Sequence, residues 1–129
     1  MQIRHTSVTV DDQTKALDFY TKVLGFEPKF DIDMGEFRWL TVTAPEGAEG
    51  VELVLEPLGF PPARVYQRAL YEAGIPVTVF MTADIHAEVR RLKDRGVVFR
   101  GEPQAAGPVI TVLFEDGCGN LLNLVQTVA

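Results

Sequence analysis

The sequence predicts an α+β fold in which two βαβββ modules form a curved mixed sheet, a cup with its helices on the outer face. Three observations carry this reading. Two aspartates placed to start helices, Asp12 and Asp84, lie 72 positions apart, and two glycines placed to end them, Gly25 and Gly96, lie 71 apart. Each half of the chain reads as one strand, one helix and three strands. Neither half can cover both faces of its sheet alone, so two copies side by side are needed to bury a core. The 129 residues fit one domain, 1–129, made of module 1–56 and module 76–129 joined by a linker helix at about 62–73.

The first strand is read from Ile3 to Val10, where Val8 and Val10 share one face and His5, Ser7 and Thr9 the other. Asp11 or Asp12 offers a carboxylate to the free N–H groups of the helix that follows. Ala16, Leu17, Phe19, Tyr20, Val23 and Leu24 give that helix one broad apolar stripe, and Gly25 ends it. Strands are expected at about 26–33, 36–43 and 51–56, with a tight turn at Met34-Gly35 and a loop over 44–50. In the linker helix Val65, Tyr66, Ala69, Leu70 and Ala73 fall on one side, and Gly74 ends it. The second module repeats the order: a strand at 76–82, a helix carrying Ile85, Val89 and Leu92, then strands near 97–100, 108–115 and 120–127. The turn Asp116-Gly117-Cys118-Gly119-Asn120 joins the last two.

Composition narrows the function classes. A formal net charge of −6 disfavours nucleic acid and anionic membranes as partners, because both need clustered Lys and Arg. No apolar run approaches the roughly 20 residues needed to span a bilayer. The opening residues show no basic-plus-apolar leader. Cys118 is the only cysteine, which rules out an intrachain disulfide or a thiolate metal cluster, and a cytoplasmic location is expected. No Ser-His-Asp spacing, phosphate loop or dinucleotide-binding glycine pattern is present.

Strand parity then selects candidate site residues. His5 lies opposite Val8 and Val10 and should point inward, and its imidazole can exchange a proton near neutral pH. Glu52 alternates with Val51 and Leu53, which should face the helices. An inward carboxylate has no packing explanation and is a candidate general base. Val77, Val79 and Met81 are the inner positions of the 76–82 strand, and Phe37 and Trp39 share a parity that adds aromatic walls. His86 falls in the first turn of a helix and reads as surface. Cys118 has no adjacent Lys, Arg or His to lower its pKa.

Several local strings resemble the vicinal oxygen chelate superfamily, which groups glyoxalases, bleomycin-resistance proteins, fosfomycin-resistance enzymes and extradiol dioxygenases. They are His5 in the first strand, Ala16-Leu17-Asp18-Phe19-Tyr20 followed by Val23-Leu24-Gly25-Phe26, Val51-Glu52-Leu53, and Asp116 to Asn120. In the metal-using members one inner position on each of four strands meets a divalent ion such as Zn, Ni, Fe or Mn. Carried over, those positions fall on His5, Glu52, Val77 (or Thr78 with a slip of one) and Asn123. The second module thus offers an aliphatic or hydroxyl side chain and an amide where a His and a Glu often stand, which removes a ligand and a negative charge. The resemblance also implies a homodimer with a small-molecule ligand. Its leading functional expectation is a protein that binds or transforms a partly apolar organic molecule without a tightly bound metal. His5 and Glu52 form the polar end, and Phe37, Trp39, Val77, Val79, Met81 and Asn123 the lining. The alternatives are a metal-dependent lyase or oxidoreductase of glyoxalase or dioxygenase type, with His5 and Glu52 as metal ligands, and a drug-sequestering resistance protein. The fold leaves catalysis and mere binding equally open.

Overall fold

Alternating β-branched residues form β1 (His5–Val10), and the Asp12 carboxylate then accepts the Lys15 N–H at 3.0 Å to cap α1 (Gln13–Asp18). The computed structural model describes residues 1–128. The helix loosens into a π-helical stretch, Phe19–Val23, in which the Leu24 N–H reaches back to the Phe19 carbonyl at 3.0 Å. Gly25 adopts φ 90°, and the Phe26 N–H closes the end on the Tyr20 carbonyl at 3.0 Å. Only a residue tolerant of the left-handed region serves there, and Gly96 at φ 86° does the same after the third helix.

Three strands follow, β2 (Glu27–Asp33), β3 (Arg38–Thr43) and β4 (Glu52–Pro57), and the sheet order is β1-β4-β3-β2 with β1 parallel to β4. On one face Val8, Val10, Leu40, Val42, Leu53 and Leu55 are buried, and α1 packs against β3 and β4. Each of those leucines contributes roughly 1.5–3 kcal/mol by leaving water. Gln13 stitches the layers: its Nε2 donates to the Leu55 and Arg38 carbonyls at 2.9 and 2.8 Å, and its Oε1 accepts the Arg38 N–H at 3.0 Å. Edge strand β2 carries Pro28, a register shift between Pro28 and Phe30, and the charged Lys29, Asp31 and Asp33, which together discourage pairing with another chain.

α2 (Pro61–Glu72) leads to β5 (Thr78–Met81), α3 (Ile85–Asp94), β6 (Gln104–Ala106), β7 (Val109–Glu115) and β8 (Leu121–Thr127). The second sheet has the matching order β5-β8-β7-β6, with β5 parallel to β8. Ile85, Val89 and Leu92 of α3 are buried, Asp84 caps the helix through Ala87 N–H at 3.1 Å, and the Gln126 Oε1 accepts the Ile85 N–H at 2.7 Å. The chain folds as two compact units, Met1–Gln67 and Arg68–Ala129, and each holds one βαβββ set. The duplicated α+β architecture read from the sequence is therefore the observed one.

Three details differ from expectation. The segment 97–100 is not a strand: it makes a single bridge, Phe99 to Phe114, before Gly101 turns at φ 95° and Pro103 withholds an N–H, so the edge strand forms later as β6. On α2 the apolar stripe is not the buried side throughout: Val65 and Tyr66 are exposed, Leu70 is half-buried, and Gln67 is buried with its Nε2 donating to the Thr9 carbonyl at 2.8 Å. Val51 precedes β4 and is exposed, so of the two residues flanking Glu52 only Leu53 joins the core.

Candidate functional site

Because paired residues of neighbouring strands share a face, the register His5 to Glu52 between β1 and β4 places both side chains on the face of the first sheet away from its aliphatic core. The His5 Nε2 stands 3.7 Å from the Glu52 Oε2, with the imidazole 47% exposed and the carboxylate 14% exposed. The Trp39 ring, from β3, sits with its centroid 5.9 Å from that of His5 at a tilt of 55°. Phe30 and Ile32 of β2 pair with Thr41 and Trp39, which puts them on the same face, and both are exposed. The open face of this sheet thus combines an imidazole and a carboxylate with an apolar, partly aromatic floor.

Thr41 was not singled out from the sequence, yet it anchors the polar end. It is fully buried, its hydroxyl accepts the Phe30 N–H at 3.2 Å, and the same hydroxyl donates to the Glu52 Oε1 at 2.8 Å. The register shift in β2 falls directly before Phe30, the donor of this side-chain bond.

In the second unit Asn123 lies beside Val79 in the parallel β5–β8 pair, and its Oδ1 accepts the Thr111 hydroxyl. Val79 and Met81 share that face and are 50% and 60% exposed, so they form an exposed apolar strip. Val77 precedes β5 and is half-buried; the residue alongside Asn123 is Val79, two positions later than the spacing suggests.

Phe37 does not join Trp39. It stands just before β3 in the turn region, where its ring lies against Gly59, and it lines a separate cleft of about 290 Å³ with Val10, Gln13, Arg38, Leu58 and Arg64. Strand parity fails there because the strand has not yet begun. At this cleft the Arg38 guanidinium forks onto both Asp31 oxygens at 2.9 Å and donates to the Thr14 hydroxyl at 2.8 Å. The hydrogen bonds from Arg38 hold the exposed Asp31 carboxyl below its ordinary value of 3.8. A lowered folded pKa contributes stability above the ordinary value and loses it as the pH falls through the folded one. Arg38→Gln is expected to return the Asp31 carboxyl to its ordinary range, read by carboxyl NMR titration.

His86 is exposed and Cys118 is buried. Asp116 and Asn120 are buried beside Cys118 and build the β7–β8 turn.

The donor set can be tested against a divalent ion. His5 and Glu52 supply two donors where catalytic zinc sites commonly hold three, and Glu52 has one oxygen already engaged by Thr41. The corresponding pair in the second unit is an aliphatic Val79 and an amide Asn123 whose oxygen takes the Thr111 hydroxyl. Among the described residues no group of three or more His, Cys, Asp or Glu side chains is gathered to hold an ion. These residues do not fit a firmly held transition metal.

No helix among the described residues is long and apolar enough to cross a membrane. YurT of Bacillus subtilis (strain 168) is 48% identical over 126 residues, covering 98% of this chain and 99% of that protein. The crystal structure of UcmS2 superposes with a TM-score of 0.82 at 32% identity, covering 97% of each chain. TnmS3, an antibiotic binding protein from Streptomyces sp. CB03234, superposes with a TM-score of 0.76 at 33% identity, covering 98% of this chain and 96% of that one. The family described as the Glyoxalase/Bleomycin resistance protein/Dioxygenase superfamily matches residues 2–124. The chain belongs to that superfamily.

Proposed function

We propose that the protein binds a small, partly apolar organic molecule on the open face that carries His5 and Glu52, and that it does so without a tightly held metal. The observation that carries the reading is the coexistence of a 3.7 Å imidazole–carboxylate pair with the exposed ring of Trp39 and the exposed Phe30 and Ile32 side chains. Such a surface recognises an organic body through its apolar part and orients it through a few polar atoms. The chemistry open to His5 and Glu52 is proton transfer with a bound molecule, since imidazole changes charge near neutral pH. Val79, Met81 and Asn123 offer a second surface, aliphatic and with an amide as its polar group. The likeness to TnmS3, described as an antibiotic binding protein, supports the binding reading and favours, as a second one, sequestration of a drug-like compound. The same reading takes the chain as a cytoplasmic homodimer with neither nucleic acid nor membrane as a partner.

Freshly purified protein is expected to contain no stoichiometric Zn, Ni, Fe or Mn on elemental analysis, to sediment at about twice the chain mass of 14.3 kDa, and to bind 2-naphthol by isothermal titration calorimetry. One equivalent of metal that disappears in His5→Ala would overturn the metal-free reading. A single-chain mass would remove the dimer.

A further inference from the structure

The open face carries a device that repeats in both units. Thr41 is paired with Val54, two residues beyond Glu52, and Thr111 is paired with Val125, two residues beyond Asn123. Each threonine hydroxyl is bonded to the polar side chain at that repeated position, Thr41 to Glu52 and Thr111 to Asn123. A recurrence at the same sheet address in two halves with otherwise different side chains marks a built feature.

In the first unit the direction of the bond is fixed. The Thr41 hydroxyl accepts the Phe30 N–H, and its one hydrogen is given to the Glu52 Oε1. The carboxylate is thereby held in one rotation, with Oε1 committed. The remaining oxygen, Oε2, has the His5 Nε2 at 3.7 Å, beyond hydrogen-bond distance, and no donor bonded to it among the described residues. Among the described residues no Arg or Lys side chain forms an ion pair with it, and Trp39 is the neighbouring ring of His5.

The geometry points to Thr41 as a positioning residue that keeps the Glu52 Oε2 free as an acceptor, and to a ligand whose class follows from this: an organic molecule with an apolar, planar body bearing a hydroxyl or amine hydrogen that it gives to Glu52. The inference rests on the proposed binding reading and adds to it the polarity of the ligand. A carbonyl-only or anionic group placed at Oε2 meets lone pairs or negative charge and is disfavoured.

The test compares 2-naphthol with 2-methoxynaphthalene, which keeps the body and lacks the donor hydrogen. Native protein is expected to prefer 2-naphthol by about tenfold in Kd, the scale of one charge-assisted hydrogen bond. Thr41→Val releases Glu52 and brings the preference to within about twofold, whereas Thr41→Ser, which keeps the hydroxyl, retains it. Glu52→Gln leaves Thr41 in place and also loses the preference, so it carries the test if the valine variant does not fold. Binding of both probes with equal affinity by native protein, or an undiminished preference in a folded Thr41→Val or Glu52→Gln protein, overturns the role of Thr41 and Glu52 while sparing the site. Binding of neither probe removes the site itself and this inference with it.

Discussion

Asp116→Ala is expected to lower the stability of the protein by about 4 kcal/mol, because three buried donors lose their acceptor together. The Asp116 Oδ1 accepts the Cys118 N–H at 2.7 Å and the Asn120 N–H at 3.1 Å, and the Oδ2 accepts the Asn120 Nδ2 at 2.8 Å. Asp116 and Asn120 are 1% and 3% exposed, so water does not readily replace the lost carboxylate. The turn these bonds fix also sets the register of β7 against β8, including the pairing of Leu113 with Asn123. Asp116→Asn keeps one acceptor oxygen for the Cys118 and Asn120 N–H groups and should cost less than alanine, with a residual loss because its new amide hydrogens meet the Asn120 Nδ2 donor. Urea denaturation of the three proteins checks the order. A loss below about 1 kcal/mol for the alanine variant would show that the turn does not depend on this carboxylate.

The second large effect is expected at Tyr20. It lies in the π-helical stretch, has no exposure, stacks on Phe26 at 6.4 Å between centroids and meets the edge of Phe19 at 5.5 Å. Truncation to alanine removes a large buried ring and leaves a cavity among neighbours that are held by the Gly25 cap, which limits collapse. The cost is expected to be about 3–5 kcal/mol, and Tyr20→Phe should retain most of that stability. Chemical denaturation measures both. Equal losses in the two variants would place the stabilisation in the hydroxyl rather than in the ring.

Much of the architecture was legible because it is written in period and punctuation. Asp12 and Asp84 cap their helices as their positions ahead of apolar stripes implied, and Gly25 and Gly96 end them with positive φ. His5 and Glu52 were placed on one face by alternation alone, which works when a residue is well inside a strand. Phe37 shows the limit of the same rule. Extending the parity of Trp39 by two residues ran past the beginning of β3, where the chain is turning and alternation has no meaning. The delayed strand β6 is a similar case: Val97, Val98 and Phe99 have strand propensity, but Gly101 and Pro103 interrupt the edge before a ladder can grow.

Other features need information that a linear pattern lacks. An apolar stripe on α2 says that a face exists and leaves open which face the fold covers, and here a glutamine is buried while Val65 and Tyr66 remain exposed. Thr41 looks like any β-branched strand residue. Its importance comes from lying diagonal to Glu52 across β3 and β4, a register that only the pairing of the strands reveals. The same holds for Thr111 and Asn123.

Superfamily membership fixes the fold more firmly than the chemistry, because different activities can be grafted onto one scaffold. The side chains of this chain therefore carry the functional argument. Two donors in the first unit fall short of the three protein ligands that catalytic zinc sites commonly hold.

Trp39 is the only tryptophan in the chain, so its indole N–H gives a single assignable NMR signal next to His5. Titrating 2-naphthol into ¹⁵N-labelled protein is expected to shift that signal and the His5 ring signals together, saturably, and with the shifts reduced in Glu52→Gln. Shifts confined to the residues around Phe37 and Arg38, with the indole and His5 signals unmoved at saturation, would contradict a ligand site on the His5–Glu52 face.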